Sequence, residues 1–322
     1  MARFLARRLL FALVLVLVVS SASLVLARLA PGDVTAQLGP FATPAEIAST
    51  RARFDLDRTP LQQLMLWAGR AMRFEFGDSF QYNRPVRELI GRAAANTAAL
   101  AIVALAVATF VGIPLGIFTG SRRGTAAAVV RGVSLVFLSV PPLLTSLFLV
   151  FIAATTRILP PGGMTTAGVL EMSWSAWLLD VAIHLPLPAL ALALPIAATF
   201  ERLQSQSMAD ALHQPFAVAA LARGVAPHDV ITRHAWPVSL RPICAVYGLA
   251  IGALLSGSFV VEFVTAWPGL GRLMYEALRA RDIYLVAGCA ATGGLFLAFG
   301  SLIGDLLLAA ADPRVREAQA GA

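Results

Sequence analysis

Six apolar stretches, each long enough to cross a lipid bilayer, constrain this chain more than any other feature. A membrane-spanning helix needs about 20 predominantly apolar residues. The six predicted spans cover residues 9–29, 96–118, 133–155, 185–200, 243–264 and 285–311. The fourth is short and interrupted by Pro186, Pro188 and Pro195, which a spanning helix tolerates when its neighbours satisfy the freed carbonyl groups. The sequence therefore predicts an all-α, polytopic membrane protein with about six transmembrane helices.

The composition supports a membrane environment and argues against nucleic acid as a partner. Hydrophobic residues make up 58% of the chain and charged residues 13%, whereas soluble proteins average about 25% charged residues. The net charge is +7, and all of the positive charge is on arginine, since the chain contains no lysine. The arginines lie between the apolar stretches and form no continuous basic patch, so we expect no nucleic-acid binding.

The first predicted span has two interpretations. Arg3, Arg7 and Arg8 precede it, as in a signal peptide. The apolar run, however, is longer than the usual apolar segment of about 7–15 residues in a signal peptide. We therefore favour an uncleaved membrane anchor over a cleaved signal peptide.

The distribution of arginine predicts the orientation of the chain. Arginine is enriched before span one, between spans two and three, between spans four and five, and after span six. With six spans all four segments lie on one side, which the positive-inside rule assigns to the cytoplasm together with both termini. Arg272, Arg279 and Arg281 between spans five and six are counter-evidence, partly balanced by Glu276 and Asp282.

These boundaries divide the chain into four predicted parts. They are an N-terminal transmembrane helix (1–30), an extracytoplasmic subdomain (31–94), a transmembrane domain of five helices (95–311) and a cytoplasmic tail (312–322). Within the subdomain, Thr43 followed by Pro44 predicts the start of a helix. Helical spacing predicts a second, amphipathic helix from Leu61, Leu64, Met65 and Ala68.

Small residues recur every four positions in three of the predicted spans. The sets are Gly112, Gly116 and Gly120; Gly248, Gly252 and Ser256; and Gly300 and Gly304. Small residues on one face allow helices to approach closely in lipid. The alternative is chance in a chain rich in glycine and alanine. We predict a tightly packed bundle.

Residue patterns typical of enzymes are absent from the sequence. A phosphate-binding loop requires lysine, which the chain lacks. The histidines and cysteines have no zinc-binding spacing, and no G-x-S-x-G motif is present. Only Glu201, Glu262 and Asp305 place acidic groups in or at the ends of spans; they are either functional or helix-end caps and buried ion pairs. We expect neither a catalytic site nor a cofactor in this chain.

A polar segment of about 40 residues between spans four and five is too long for a simple turn. Its apolar residues fall at helical spacing at Ala209, Leu212, Phe216 and Ala220. Gly224 follows, where a helix would end on a left-handed residue, and Pro227 stands near the start of a second helix. The segment is predicted to be two helices joined at a glycine, either docking a partner or lying on the membrane surface.

Several motifs carry a resemblance to a known family. They are F-A-V-A-A-L-A-R-G at 216–224 with R-H-A at 233–235, V-V-E at 260–262 with A-W-P-G-L-G-R at 266–272, R-D at 281–282, D-P-R-V-R at 312–316, A-P-G-D at 30–33 and F-G-D-S at 76–79. Their order and spacing along the chain resemble those of ABC importer permeases of the dipeptide, oligopeptide and nickel group. The coupling loop of these permeases is called the EAA loop. Two departures are Val218, where the EAA pattern has glutamate, and the pair Trp236-Pro237 after R-H-A.

The resemblance implies a type I ABC importer permease fold in the bacterial inner membrane. Such a subunit forms half of a pathway for peptides or related small solutes. Its implied partners are a second homologous permease subunit, two ABC ATPase subunits that bind ATP and magnesium, and an extracytoplasmic solute-binding protein. The loop at 203–241 would dock the ATPase. The residues expected to carry the coupling are Ala219, Ala220, Ala222, Gly224, Arg233 and His234.

A second candidate site follows the fifth span. It comprises Glu262, Trp267, Pro268, Gly269 and Gly271. These residues are interpreted as an outer gate or a contact for the binding protein, with a structural re-entrant turn as the alternative. A lone secondary transporter would require inverted repeats and midplane charges, neither of which the sequence indicates. The sequence does not identify the solute.

Overall fold

A computed structural model describes residues 2–29, 35, 41–73, 75–166, 168 and 173–311. The motif at 30–33 and the predicted tail at 312–322 lie outside the described residues. The helices are α1 (Ala2–Leu29), α2 (Pro44–Arg53), α3 (Pro60–Ala71), α4 (Val86–Ser121), α5 (Thr125–Ser139), α6 (Pro142–Thr156), α7 (Trp174–His184), α8 (Pro186–Leu212), α9 (Pro215–Ala222), α10 (Pro227–Asp229), α11 (Trp236–Ser239), α12 (Arg241–Val264), α13 (Leu270–Arg279) and α14 (Ile283–Ala311), with a π-helix (Val230–Ala235) between α10 and α11. Within this part of the chain the fold is all-α, as predicted.

Five helices are long and apolar enough to cross a membrane: α1, α4, α8, α12 and α14. Helices α5 and α6 meet the same criterion only as a pair, and they bend by 108° where they join. The described residues therefore contain five spans, or six if the bent pair counts as one. The predicted polytopic helical architecture is confirmed.

The prediction of one continuous third span over 133–155 is wrong. Val140 has extended backbone angles, φ −90° and ψ 120°, and Pro141 is extended as well. A proline disfavours the helical conformation of the residue before it and clashes with the preceding turn. The dipeptide Pro141-Pro142 therefore ends α5 and begins α6.

The prediction of a short, broken fourth span is also wrong. Helix α8 has 27 residues and begins at Pro186, where a missing N–H costs nothing because the first turn has no intrahelical acceptor. Inside the helix, the Thr199 hydroxyl donates to the Pro195 carbonyl at 2.9 Å. The helix then continues to Leu212, through positions that the sequence assigned to the following polar segment.

The chain forms two compact units. The first contains Ala98–Trp267 and the part of α14 that begins at Phe299, and the second contains Ala6–Thr97 and Pro268–Ala298. The domain boundaries predicted from the sequence stay a prediction.

The first unit packs α4, α5, α6 and α12 around α8. The buried residues on α4 and α8 are mainly small, such as Ala104, Ala108, Ala191 and Ala193. Such residues let the two backbones approach closely. Alanine and glycine therefore set the close spacing of α4 and α8, while larger side chains such as Phe200 and Trp267 fill the rest of the core.

The predicted small-residue contacts are confirmed in the first unit. A Cβ atom at Gly112 would lie 2.5 Å from the Ala197 carbonyl oxygen, and one at Gly116 would lie 2.5 Å from the Gln204 Cβ. Between α12 and α14, a Cβ at Gly304 would lie 2.6 Å from the Gly248 Cα. No side chain fits at these positions without movement of the helices.

The second unit has its own core, in which Leu24, Trp67, Tyr284 and Leu285 are buried. The predicted helix start at Thr43 is confirmed, with Thr43 and Glu46 capping each other. The predicted second helix is also confirmed as α3, but it buries an unexpected face. Gln63 and Trp67 are buried, whereas Leu61 and Met65 are 61% and 64% exposed.

Candidate functional site

The first candidate site is the segment 213–240 that follows α8, which we call the hairpin. It contains α9, a turn at Gly224, α10, the π-helix and α11. The prediction of helical segments joined at Gly224 is confirmed. The prediction that one helix carries Ala209 through Ala220 is wrong, because Gln214 is extended, with φ −68° and ψ 149°, and Pro215 starts a new helix.

The turn at Gly224 closes α9 with a left-handed residue, as predicted. Gly224 has φ +83°. Its N–H donates to the Leu221 carbonyl at 2.9 Å, and the Val225 N–H donates to the Ala220 carbonyl at 3.2 Å. This pair of bonds is the Schellman arrangement, which satisfies carbonyls at a helix end and favours glycine. A Cβ at Gly224 would meet nothing within 4 Å, so the backbone angle rather than space requires glycine.

Alanine and valine side chains form the interior of the hairpin. Ala217, Ala220 and Val230 are buried together, and Leu212 and Val225 pack against them. Ala220 is only 1% exposed. Its small side chain therefore allows α9 to lie against the following helices rather than to face a partner.

The hairpin is attached to α8 by a buried hydrogen bond and a small apolar cluster. The Gln204 side-chain N–H donates to the Ser239 hydroxyl at 2.7 Å, and both side chains are buried. One turn further along α8, Met208 and Ala211 pack against Ala235. A displacement of the hairpin is therefore expected to move α8.

The six predicted coupling residues are divided between the interior and the surface. Ala220 is interior, whereas the other five are exposed: Ala219, Ala222, Gly224, Arg233 and His234. Large apolar residues of α9 accompany the exposed alanines, with Phe216, Val218 and Leu221 exposed by 38%, 54% and 44%. The predicted set of coupling residues did not include these three side chains, although their apolar character within a polar segment was the available signal.

Arg233 and His234 lie in the π-helix, an element that the sequence did not indicate. Arg233 approaches Asp229 at 3.6 Å, an exposed pair that contributes little to stability. Ala235 in the same motif is fully buried. π-Helical turns are rare and are frequent at functional sites.

Two residues of the second candidate site, Glu262 and Trp267, belong to the first unit, whose segment Ala98–Trp267 ends here. Glu262 and Trp267 are both 0% exposed. Ala266 is left-handed, with φ 54°. The Thr265 carbonyl accepts a bond of 2.8 Å from the Gly163 N–H. These contacts support the alternative of a structural turn at this position.

The remaining residues of the second candidate site belong to the second unit. The Asn96 amide donates to the Pro268 carbonyl at 2.9 Å. Gly269 immediately precedes α13, and the Leu270 N–H at the start of that helix donates to the Thr97 hydroxyl at 2.7 Å. Gly271 lies in the first turn of α13. The role of this segment as a gate stays a prediction.

Two sequence motifs in the second unit are joined by a buried hydrogen bond. The Ser79 hydroxyl of F-G-D-S donates to the Asp282 carboxylate of R-D at 2.6 Å, and both residues are buried. Nearby, the Tyr82 hydroxyl donates to Glu276 at 2.6 Å. Burial, followed by this bond, raises the pKa of Tyr82 to about 12. Since 203 residues separate Ser79 from Asp282, no local pattern could have indicated their contact.

Taken together, several apolar spans and a hairpin attached to one of them describe a multi-pass membrane transport subunit. Residues 112–317 match the model of the family described as "binding-protein-dependent transport system inner membrane component". The chain is 31% identical to a putative peptide permease protein of Brucella ovis over 322 residues, covering 98% of this chain and 99% of that relative. It is 29% identical to the oligopeptide transport system permease protein AppB of Bacillus subtilis, with the same coverage of both chains. It is 30% identical to OppB of Mycobacterium bovis, again covering 98% and 99%.

The chain belongs to the binding-protein-dependent transport system inner membrane component family. It is a permease subunit of an ABC importer, located in the inner membrane, and works with other transporter subunits. The family resemblance inferred from the motifs is thereby confirmed.

Proposed function

We propose that this permease subunit forms half of the translocation pathway for peptides and couples it to a separate ATPase through the hairpin. The observation that carries the coupling is the exposed apolar surface of α9, formed by Phe216, Val218 and Leu221 on a hairpin that is fastened to α8. Exposed apolar patches of this kind mark protein contacts. A helix presenting such a patch fits a groove on a partner.

The exposed small residues favour close approach of that partner. Ala219 and Ala222 lie on α9 among the three large apolar side chains, and Gly224 follows with open space around its Cα. A groove on the ATPase could therefore contact the α9 backbone. With Val218 in place of the glutamate of the EAA pattern, this contact depends on apolar packing and lacks an ion pair at that position.

The route of coupling runs along α8. This helix spans Pro186–Leu212 without interruption, and Gln204 bonds to the hairpin at Ser239. A rigid shift of the hairpin on ATP binding would displace α8 together with its glycine contacts to α4. Rigid-body movement of packed helices is an established way to alternate access to a central site.

The partners follow from what the chain lacks and from its family. ATP and magnesium would bind to two ATPase subunits, since the sequence has no phosphate-binding loop. A second permease subunit would complete the pathway, and a solute-binding protein would deliver the solute outside. In this arrangement the hairpin and both termini are cytoplasmic. Peptides are the proposed solutes because the relatives are named as peptide and oligopeptide permeases.

Replacing Leu221 by glutamate tests the docking surface. Leu221 is 44% exposed, so Leu221→Glu should leave the fold and the membrane insertion unchanged. It should lower the amount of ATPase that co-purifies with the chain by at least about tenfold, the scale of a lost interface anchor. Solute uptake into cells should fall in parallel.

Leu221→Met is the matched control, because it preserves an apolar side chain of similar volume. It should retain ATPase binding and uptake. Wild-type ATPase binding in Leu221→Glu would contradict the proposed docking surface. Ion-driven uptake by the isolated chain would contradict the importer mechanism as a whole.

A further inference from the structure

A cavity of about 200 Å³ lies between α5 and α8 in the first unit. Its polar lining comprises Arg131 and Ser134 from α5 with Glu201, Arg202, Ser205 and Gln206 from α8. Leu135, Leu138 and Ala198 complete the wall. None of these residues belongs to the hairpin or to the segment around Trp267.

The cavity changes from polar to apolar along its length. On α5 the lining runs from Arg131 through Ser134 to Leu138, and on α8 it runs from Gln206 through Arg202 to Ala198. The polar end of α5 is the end that follows the loop with Arg122 and Arg123. The polar end of α8 is the end that precedes the hairpin. Both polar ends line the same part of the cavity. A cavity with a charged end and an apolar end matches an amphiphile better than a uniformly polar solute.

The position of the cavity relative to the spans matches the level of lipid headgroups. Arg131 lies six residues into α5, or about 9 Å from the start of the helix. Glu201 lies 15 residues into α8, roughly 22 Å along a segment that must cross a hydrocarbon layer of about 30 Å. Both side chains are therefore near the membrane boundary on the side of Arg122 and Arg123.

Of the three charged side chains that line the cavity, Arg131 and Glu201 are held by hydrogen bonds and Arg202 is exposed. The Arg131 guanidinium donates to the Thr119 carbonyl at 2.8 Å, which leaves further N–H groups of this five-donor side chain for a ligand. Arg202 is exposed at the cavity. Glu201 is 2% exposed and accepts a hydrogen bond of 2.5 Å from the Thr119 hydroxyl through one oxygen.

We propose that this cavity binds a phospholipid, with Arg131 and Arg202 contacting the phosphate and the acyl chains starting along Leu135 and Leu138. Basic pockets between transmembrane helices commonly bind lipid headgroups. The Glu201 carboxylate in the same cavity opposes a purely anionic headgroup and attracts an ammonium group. The site therefore prefers phosphatidylethanolamine, which has both charges, to phosphatidylglycerol.

Native mass spectrometry of the full-length chain in mild detergent tests the proposal, with the two lipids added at equal concentration. The wild type should retain one phosphatidylethanolamine in preference to phosphatidylglycerol. Arg202→Ala should lower its occupancy about tenfold, the scale of one lost charge-assisted hydrogen bond. Glu201→Gln should shift the preference towards phosphatidylglycerol.

Two further variants separate this site from general attraction to lipid and from misfolding. Arg123→Ala removes an exposed arginine on the same side, outside the cavity lining, and should retain lipid. Leu138→Trp keeps both arginines but fills the apolar end, so it should lose lipid while the chain elutes as a folded protein.

The proposal would be overturned by equal loss of lipid in Arg202→Ala and Arg123→Ala, or by a wild type that retains no lipid. Displacement of the bound lipid by an equimolar tripeptide would instead identify a solute subsite and would also overturn it. These outcomes do not depend on ATPase binding, so the test is independent of the proposed coupling.

Discussion

Glycine serves two different purposes in the first unit, one on α4 and the other in the hairpin. On α4, Gly112 and Gly116 have helical backbones, and an added Cβ would overlap atoms of α8. In the hairpin, Gly224 has open space around it but a left-handed backbone at φ +83°. The first region depends on close approach of two helices, whereas the second depends on a backbone turn. On α4, the size of a substituted side chain should therefore decide the effect. At Gly224, its tolerance of left-handed backbone angles should decide the effect.

The largest effect is expected where a side chain would push α4 away from α8. A Cβ at Gly116 would lie 2.5 Å from the Gln204 Cβ and 2.6 Å from the Glu201 carbonyl oxygen. Overpacking of this kind costs about 1–3 kcal/mol. Gly116→Ala should therefore reduce the yield of folded protein and lower its melting temperature in detergent.

Gly132 provides the matched control in the same unit. It lies within α5, and a Cβ there would meet nothing within 4 Å. Gly132→Ala should be neutral or slightly stabilising, since alanine is the better helix former. Equal melting temperatures of Gly116→Ala and Gly132→Ala would show that the close contact between α4 and α8 is not required.

The spans were predictable because apolar length is a local property, but their interruptions required context. Pro141-Pro142 lies within the predicted third span and was the available signal for the bend between α5 and α6. By contrast, neither Pro186 nor Pro195 interrupts α8. Pro186 stands in the first turn, where a missing N–H costs nothing, and the helix continues past Pro195 in its interior. The presence of proline alone therefore does not distinguish a bend, as at Pro141-Pro142, from a continuous helix, as at Pro195.

The extent of α8 and the interior of the hairpin were less predictable, because both depend on tertiary contacts. Gln204 and Ser205 are polar and yet buried in α8, where they pack against the glycine face of α4. The candidate residue Ala220 was correctly placed in the hairpin by the motif, but its orientation towards the interior depends on packing with Val230. The motif indicated the site and did not indicate which side chains face outwards.

A smaller effect is expected at Gly224, where the backbone rather than the space is constrained. Left-handed angles cost a non-glycine residue about 1–2 kcal/mol, and asparagine tolerates them better than alanine. Gly224→Ala should loosen the turn and increase tryptic cleavage after the adjacent Arg223, whereas the melting temperature of the membrane helices should not change. Gly224→Asn should be cleaved more slowly than Gly224→Ala. Slower tryptic cleavage of Gly224→Ala than of Gly224→Asn would contradict the requirement for a left-handed residue.

The smallest effect on stability is expected where the two regions meet, at the bond between Gln204 and Ser239. Gln204→Leu keeps the side-chain volume and removes a buried bond of 2.7 Å, while the Ser239 hydroxyl can still donate to the Trp236 carbonyl at 3.0 Å. The net cost of one hydrogen bond is about 1 kcal/mol, so the melting temperature should fall only slightly. If movement of the hairpin is transmitted through this bond, ATP hydrolysis by the assembled transporter should continue while uptake falls.

Ser239→Thr is the control, because it keeps a hydroxyl at the same position. ATP hydrolysis and uptake should both stay at the wild-type level in this variant. Parallel loss of ATP hydrolysis and uptake in Gln204→Leu would instead indicate a defect in ATPase docking. Unchanged uptake would show that the hairpin is connected to α8 without this bond, through the apolar cluster of Met208, Ala211 and Ala235.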